Sequence, residues 1–190
     1  MRRVIMFNLI SLDGFFEGAS KWELGWHQVD EEFNEFALAQ LDQADGLIFG
    51  RVTYQGMAAY WTAADARKND PHMAAKMNSI SKYVFSNTLA KAGWNNTSLM
   101  TGDAAKLLLE LKQQPGKDLL LLGSAVLAQA FIQNSLIDEY RLMLVPVVLG
   151  QGGTLFKHDE GMLKLKLLNT RPFANGNLLL YYRPYGRHSG

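Results

Sequence analysis

Gly-Leu-Ile-Phe-Gly-Arg-Val-Thr-Tyr-Gln-Gly-Met-Ala-Ala-Tyr-Trp, residues 46–61, changes character half-way along. Its first residues form a short apolar run, whereas Tyr54, Met57, Ala58 and Trp61 recur at helical spacing, so a buried strand passes into a helix through a turn marked by Gly50. Gly50, Arg51 and Thr53 sit at that turn. A helix start leaves backbone N–H groups unpaired and carries roughly half a positive charge, so it can hold a phosphate, and the Arg51 guanidinium matches phosphate oxygens. The same residues also admit a plainer reading, in which Gly50 makes the turn, Thr53 caps the helix and Arg51 is solvated.

Upstream of this stretch, Val4 to Ile10 is apolar at nearly every position, as in a strand covered on both faces, and Ser11-Leu12-Asp13-Gly14 turns the chain at its C-terminal end. Ligands of open α/β sheets bind at that end of the strands. Residues 15–29 hold glycines at 18 and 25 and tryptophans at 22 and 26, and read either as a lid or as aromatics half-packed on the sheet edge. Asp30 caps a helix with Glu31 and Glu32 in its first turn and Phe33, Phe36, Ala37 and Leu41 on its buried stripe. That helix leads into the strand at Gly46 to Phe49.

Downstream, Asp70-Pro71 opens a short helix through Ile80, and Tyr83 to Phe85 form a third strand ending at Ser86-Asn87-Thr88. Thr97 to Met100 reads as a fourth strand, followed by a helix capped by Thr101 or Asp103, with Leu107, Leu108 and Leu111 on one face, that closes at Pro115-Gly116. Leu119 to Leu122 is the most apolar strand, and Gly123-Ser124-Ala125 turns it into a helix from Val126 to Asn134. This is a second strand-glycine-helix turn. Ile137 to Val148, Leu163 to Leu168 and Leu178 to Tyr182 are further β segments without helices between them, so they close the sheet as an antiparallel edge. The fold expected is α/β: a mixed sheet of about eight strands with helices on both faces.

The 190 residues fit one domain, expected over 1–184 with a polar, frayed tail at 185–190, and 48% hydrophobic residues supply a sizeable core. Nineteen basic against eighteen acidic side chains leave a net charge of +1. With no basic cluster, a nucleic-acid partner is not expected. No cysteine is present, which excludes disulfides and thiolate chemistry and fits a reducing compartment. The opening residues read as a strand rather than a secretory start, and no apolar run is long enough for a membrane span; a cytoplasmic protein without membrane partners is expected. Histidines at 27, 72, 158 and 188 lack the spacing of a metal pair, so no metal is expected. Neither a Gly-x-Ser-x-Gly elbow nor a Walker sequence appears.

The order of these pieces resembles the dihydrofolate reductase superfamily, and most closely the branch containing the C-terminal reductase domain of riboflavin biosynthesis enzymes. The carriers are Ser11-Leu12-Asp13-Gly14, Gly50-Arg51-Val52-Thr53, Val84-Phe85-Ser86, Gly123-Ser124, and Leu136-Ile137-Asp138-Glu139 leading to Pro146-Val147-Val148-Leu149-Gly150. The resemblance covers nearly the whole chain and implies a three-layer αβα fold with NADPH as cofactor. By that likeness Gly50, Arg51, Thr53 and Ser86 hold the phosphates of the adenosine half, and Gly123, Ser124, Ala125, Val126 and Leu127 lie beneath the nicotinamide half. A glycine pair joined by a cis bond is frequent in the family where this chain has Gly123-Ser124.

The implied reaction is NADPH-dependent reduction of a pteridine-like or pyrimidine-like heterocycle, by hydride transfer across the ends of the first and fifth strands. The rival is a non-catalytic binding protein on the same fold. Folate-reducing relatives carry a carboxylate on the first helix, and Asp30 or Glu31 lies near that place. Asp13 is the leading candidate for substrate contact or proton delivery, and equally reads as a plain Asp-Gly turn residue; Glu31 is a second catalytic candidate, and Trp26 is expected with Asp30 against the substrate. Phe7 stands where the riboflavin-pathway reductases have lysine, and Trp61-Thr62-Ala63-Ala64-Asp65 replaces their acidic segment. A homodimer is expected from the apolar Leu163, Leu165, Leu167 and Leu168, and the same branch is dimeric.

Overall fold

The apolar N-terminal run forms strand β1 (Val4–Ser11), which lies inside an eight-stranded sheet rather than at its rim. The computed structural model describes residues 1–156 and 161–185. A short strand β2 (Phe15–Glu17) follows β1, and the chain continues through β3 (Ala44–Gly50), β4 (Ser81–Phe85), β5 (Thr97–Met100), β6 (Asp118–Leu122), β7 (Glu139–Val145), β8 (Gly153–Thr154), β9 (Leu165–Pro172) and β10 (Leu178–Pro184). The main sheet has the order β5-β4-β3-β6-β1-β7-β10-β9, and β2 pairs with β8 in a separate ribbon. From β5 to β7 every pairing is parallel; β10 is antiparallel to β7 and β9 to β10. The expected mixed sheet with an antiparallel C-terminal edge is therefore found.

Six helices complete the described chain: α1 (Glu31–Gln43), α2 (Arg51–Thr62), α3 (Ala64–Asn69), α4 (Pro71–Ser79), α5 (Ala104–Gln113) and α6 (Ala125–Gln133). Alternation along β1 separates the two layers. Val4 and Met6 pack with Leu108 and Leu111 of α5 and Phe131 of α6, whereas Ile5 packs with Leu41 of α1, Tyr54 of α2 and Met77 of α4. Each such side chain, fully buried, contributes about 1.5–3 kcal/mol relative to exposure. Asp30, Asp70 and Asp103 cap α1, α4 and α5 by accepting from backbone N–H groups. Helices α2 and α6 have no side-chain cap.

Some elements differ from the sequence reading. Helix α3 was not expected, because six residues carry too little periodicity to register. Residues 15–29 begin with a strand, β2, which borrows its partner from far along the chain. Strand β9 starts at Leu165 and runs on to Pro172, so Leu163 precedes it. Of the tail expected at 185–190, residues 186–190 lie outside the described residues.

The N-terminal ends of the parallel strands are tied by charge. Arg2 pairs with Asp45, Lys112 with Asp138, and Arg141 with Glu139. Lys82 of β4 is fully buried, with Nζ donating to the carbonyls of Asn78, Ile80 and Asn95 at 3.3, 2.8 and 3.1 Å beneath the Trp94 ring. Burial pushes its pKa down to about 8, so the ammonium persists at neutral pH. The opposite, C-terminal ends carry glycines and hydroxyls instead.

Candidate functional site

Parallel pairing sets the C-terminal ends of β4, β3, β6 and β1 side by side, and each end leads into a turn singled out in the sequence. Gly50 pairs with Phe85, the residue before Ser86, and Ile48 pairs with Leu121, which brings Gly50 level with Gly123. Leu122 pairs with Phe7, four residues before Ser11. The two strand-glycine-helix turns therefore meet.

Their contact is close. A Cβ on Gly50 would overlap Ser124 Oγ and lie 3.1 Å from Ser124 Cβ, and one on Gly123 would lie 3.1 Å from Thr53 Cγ2. Gly50 is extended (φ −79°, ψ 163°), so its requirement for glycine is one of space. Gly123 (φ 62°) and Ser124 (φ 60°) are both left-handed, and the peptide between them is trans. A non-glycine residue held there costs on the order of 1 kcal/mol, which interlocking with Gly50 sustains. The result is a notch floored by backbone, into which α2 and α6 both point uncapped N-termini.

Arg51, exposed at the first position of α2, donates to Gln55 Oε1 at 3.2 Å and stands beside the notch. Ser86 Oγ accepts from Thr88 N and Leu89 N at 3.1 and 3.0 Å and lies 3.4 Å from Thr88 Oγ1, which fixes the turn after β4. Val126 is exposed, whereas Leu127 is buried in the core. The inclusion of Leu127 among the cofactor residues thus narrows to its backbone.

Asp13 takes the turn role that its place before Gly14 admits. Its carboxylate accepts from Ser11 Oγ at 2.7 Å, Leu149 N at 3.1 Å and Gly150 N at 2.7 Å, and Ser11 Oγ accepts in turn from Phe15 N at 2.9 Å. These hydrogen bonds, that from Ser11 foremost, hold its pKa down at about 2. With its oxygens engaged by these donors, Asp13 fastens the end of β1 to the loop after β7. Asp30 is likewise committed, as the α1 cap accepting from Phe33 N at 2.9 Å. Glu31 is exposed, and it is Glu32 that is bound inward, by Arg171 at 3.0 Å and Ala174 N at 2.9 Å.

On the α1 side of β1, Phe7 lies against Phe33 and Phe36 at 6.4 and 5.7 Å between ring centres, and Phe36 reaches Phe173 at 5.7 Å. These rings form an aromatic wall on that side of β1. The segment 18–29 is docked rather than loose: a Cβ on Gly56 of α2 would overlap the Trp22 ring, and Trp26 Nε1 donates to Glu23 O at 3.0 Å while its ring meets His27 edge-on. His27 Nε2 is buried without a partner among the described residues, and burial pushes its pKa down to about 4.

Sequence reasoning missed the buried amides of Asn8, Gln40, Gln129 and Asn177. A lone Asn inside the apolar run Val4 to Ile10 was the available signal. Two shallow clefts of about 470 and 330 Å³ flank α2 and share Thr62, Gly93 and Trp94, and no residue expected at the site lines either.

The model of the RibD C-terminal domain matches residues 2–179. The uncharacterized protein YyaP of Bacillus subtilis is 33% identical over 183 residues, covering 95% of this chain and 94% of its own. Among solved structures, a protein of Shewanella sp. PV-4 named for riboflavin biosynthesis has TM-score 0.74 at 23% identity, covering 96% of this chain and 98% of that one. Dihydrofolate reductase from Enterococcus faecalis, complexed with NADP(H), has TM-score 0.63 at 14% identity over 96% of each chain. The fold is thus dihydrofolate reductase-like, and the chain belongs to the RibD C-terminal domain family.

Proposed function

We propose that the protein is an NADPH-dependent reductase of a flat nitrogen heterocycle, pteridine-like or pyrimidine-like. The observation that carries this reading is the interlocking of the Gly50 and Gly123 turns, where Ser124 Oγ takes the place of a Gly50 Cβ and the uncapped starts of α2 and α6 are brought together. NADPH fits it: the two helix starts offer N–H donors to the diphosphate, Arg51 offers a fork to the 2′-phosphate, and Ser86 and Thr53 offer hydroxyls beside it. The backbone from Gly123 to Leu127, with the side chains of Ser124, Ala125 and Val126, borders the nicotinamide half. NADPH, when bound, supplies the hydride.

What the chain supplies is positioning and exclusion of water. Phe7 and its aromatic neighbours offer a flat apolar wall, suited to a heterocycle without a phosphate. Trp22 and Trp26 cover the segment next to α2. Asp13 holds the loops at the mouth in register, and Asp30 holds the start of α1. The proton that accompanies the hydride comes from solvent, since Asp13 is engaged by Ser11, Leu149 and Gly150.

The test is loss of reduced-nicotinamide absorbance with a panel of dihydropteridines and aminouracils, with and without ribityl phosphate. Turnover of an unphosphorylated member supports the proposal. Tight NADPH binding without turnover of any member supports the second reading, a non-catalytic binding protein, which the ionised Asp13 and exposed Glu31 favour.

We also propose a homodimer through β9. This strand has a free edge, and Leu163, Leu167 and Leu168 are 38%, 50% and 47% exposed beside it. A monomer mass by light scattering at micromolar concentration overturns it. The absence of cysteine supports a cytoplasmic location, while among the described residues no helix is long and apolar enough to cross a membrane.

A further inference from the structure

Helix α2 has two flanks beside its buried stripe, and only the one that meets the cover has been used so far. Gly56, which lies against Trp22, is about 100° around the helix axis from Gln55. Gln55, Ala59 and Thr62 belong to the other flank, along which the two clefts of about 470 and 330 Å³ run. Because the clefts share Thr62, Gly93 and Trp94, they form one groove. It follows α2 from Gln55 to Thr62, about 10 Å at 1.5 Å per residue, and continues past the helix end to Arg67 and Pro71. Its size is that of a small-molecule site.

The charge along this groove has one sign. Arg67 lines the first cleft and Lys91 the second, both are exposed, and among the described residues neither forms an ion pair. Behind Trp94, which both clefts share, lies Lys82. Its Nζ stands 4.4 Å from the centre of the Trp94 ring and donates to the carbonyls of Asn78 and Asn95, two residues of the first cleft. With the carbonyl of Ile80, these satisfy its hydrogens but leave a fully buried charge without a counter-ion, whereas buried charges are ordinarily paired. No acidic side chain among the described residues lines either cleft. Asp65 and Asp70, the acids nearest Arg67 in the chain, stand outside the lining, and Asp70 is spent on the α4 cap.

A concave surface with low-dielectric walls focuses the field of such charges on whatever enters it, so the complement of this groove is an anion. Its middle is uncharged, made by Ala58, Ala59, Thr62 and Trp94. We infer that the groove is a ligand site for an elongated organic dianion, with a phosphate or carboxylate at one end held by the guanidinium fork of Arg67, its counterpart at the other end held by Lys91, and a neutral body lying along α2. The site is separate from the notch and touches it at one place: Gln55, which lines the second cleft, accepts from Arg51 Nη1 at 3.2 Å.

The experiment is calorimetry on the full chain with two dianions, fructose 1,6-bisphosphate and suberate, and with their one-ended counterparts, fructose 6-phosphate and octanoate, for wild type, Arg67→Ala, Lys91→Ala and Arg51→Ala. At least one dianion is expected to bind wild type, and which one does so tells phosphate from carboxylate. Arg67→Ala and Lys91→Ala should each weaken it about three- to tenfold, the range for one hydrogen bond, and added salt should weaken it further. The one-ended counterpart should bind more weakly and respond to only one of the two substitutions. Arg51→Ala should leave the dianion's affinity unchanged.

The inference is overturned if neither dianion binds at millimolar concentration, or if the one-ended molecules bind as tightly as the dianions. A loss with Arg51→Ala, beside silent Arg67→Ala and Lys91→Ala, overturns it as well, because the anion then sits on the notch. None of these outcomes depends on nucleotide binding, so the groove stands or falls apart from the NADPH reading.

Discussion

The notch between the two turns and the segment that covers its neighbourhood are built on opposite principles. The notch exists because side chains are absent: Gly50 and Gly123 let two strand ends approach until Ser124 Oγ and Thr53 fill the places their Cβ atoms would take. The cover over 18–29 exists because side chains are present, with Trp22 laid on Gly56, Trp26 bonded to Glu23 O, and His27 half-buried with its Nε2 turned inward. A site floored by backbone is rigid and indifferent to pH, while one closed by side chains responds to mutation and protonation. The comparison makes separable demands on each region.

The largest expected effect is at the charged rim of the notch. Arg51→Ala should weaken NADPH by about 1–3 kcal/mol, the range for a hydrogen bond to a charged group, and leave NADH unchanged, because NADH has no 2′-phosphate. Equal affinities for both nucleotides before and after substitution, measured by calorimetry, would remove Arg51 from the site.

Next comes the floor. Gly50→Ala should lower stability by about 1–3 kcal/mol through overpacking against Ser124, read as a shift in the urea midpoint. The same chain carrying Ser124→Gly should regain most of it, because the overlapping Oγ is gone and the left-handed position at 124 is relieved. If the double variant is no more stable than Gly50→Ala, the two turns do not support each other as described.

The cover should answer to pH where the notch does not. The folded-state pKa of His27, about 4, lies below the ordinary 6.5, so as pH falls the unfolded chain takes up a proton before the folded one does. Stability due to neutral, buried His27 is whole above 6.5 and is lost between 6.5 and about 4, by about 1–2 kcal/mol after allowing for partial solvation. The carboxylates with depressed pKa values, Asp13, Glu32 and Asp42, lose their contributions as pH falls below their ordinary values, 3.8 for Asp and 4.5 for Glu, at or under the acid end of that window. His27→Phe should flatten the melting temperature across it; an unchanged slope would mean that His27 is not the titrating group.

How far the sequence spoke follows the same division. Runs such as Val4 to Ile10 and Leu119 to Leu122 are buried on both faces and so are written without interruption, and the glycines after β3 and β6 mark turns because nothing else fits there. The edge β9 and the ribbon β2–β8 were less legible, since their pairing depends on partners distant in the chain. The turn reading of Asp13 was open in the sequence, but an Asp before glycine gives no sign of accepting from Leu149 and Gly150, 136 and 137 residues away. Asn8 was overlooked because a single polar residue does not alter an apolar run.

The smallest effect should come from Gly56, and its sign distinguishes the two principles. Glycine inside a helix costs about 1 kcal/mol relative to alanine, so on helix propensity alone Gly56→Ala stabilises α2. Its methyl, however, would overlap the Trp22 ring, which must then lift from α2, and Trp22 is already held at φ 65° in a conformation that suits few side chains. The loss of that docking roughly offsets the helical gain, leaving the melting temperature within about 1 kcal/mol of wild type. The displaced cover should show instead as a red shift of tryptophan emission and a raised KM for the heterocycle, with NADPH affinity unchanged because the notch needs no side chain at 56. If emission and KM stay put while stability rises by the full helical increment, Trp22 does not pin the cover, and the segment over 18–29 is held by Trp26 and His27 alone.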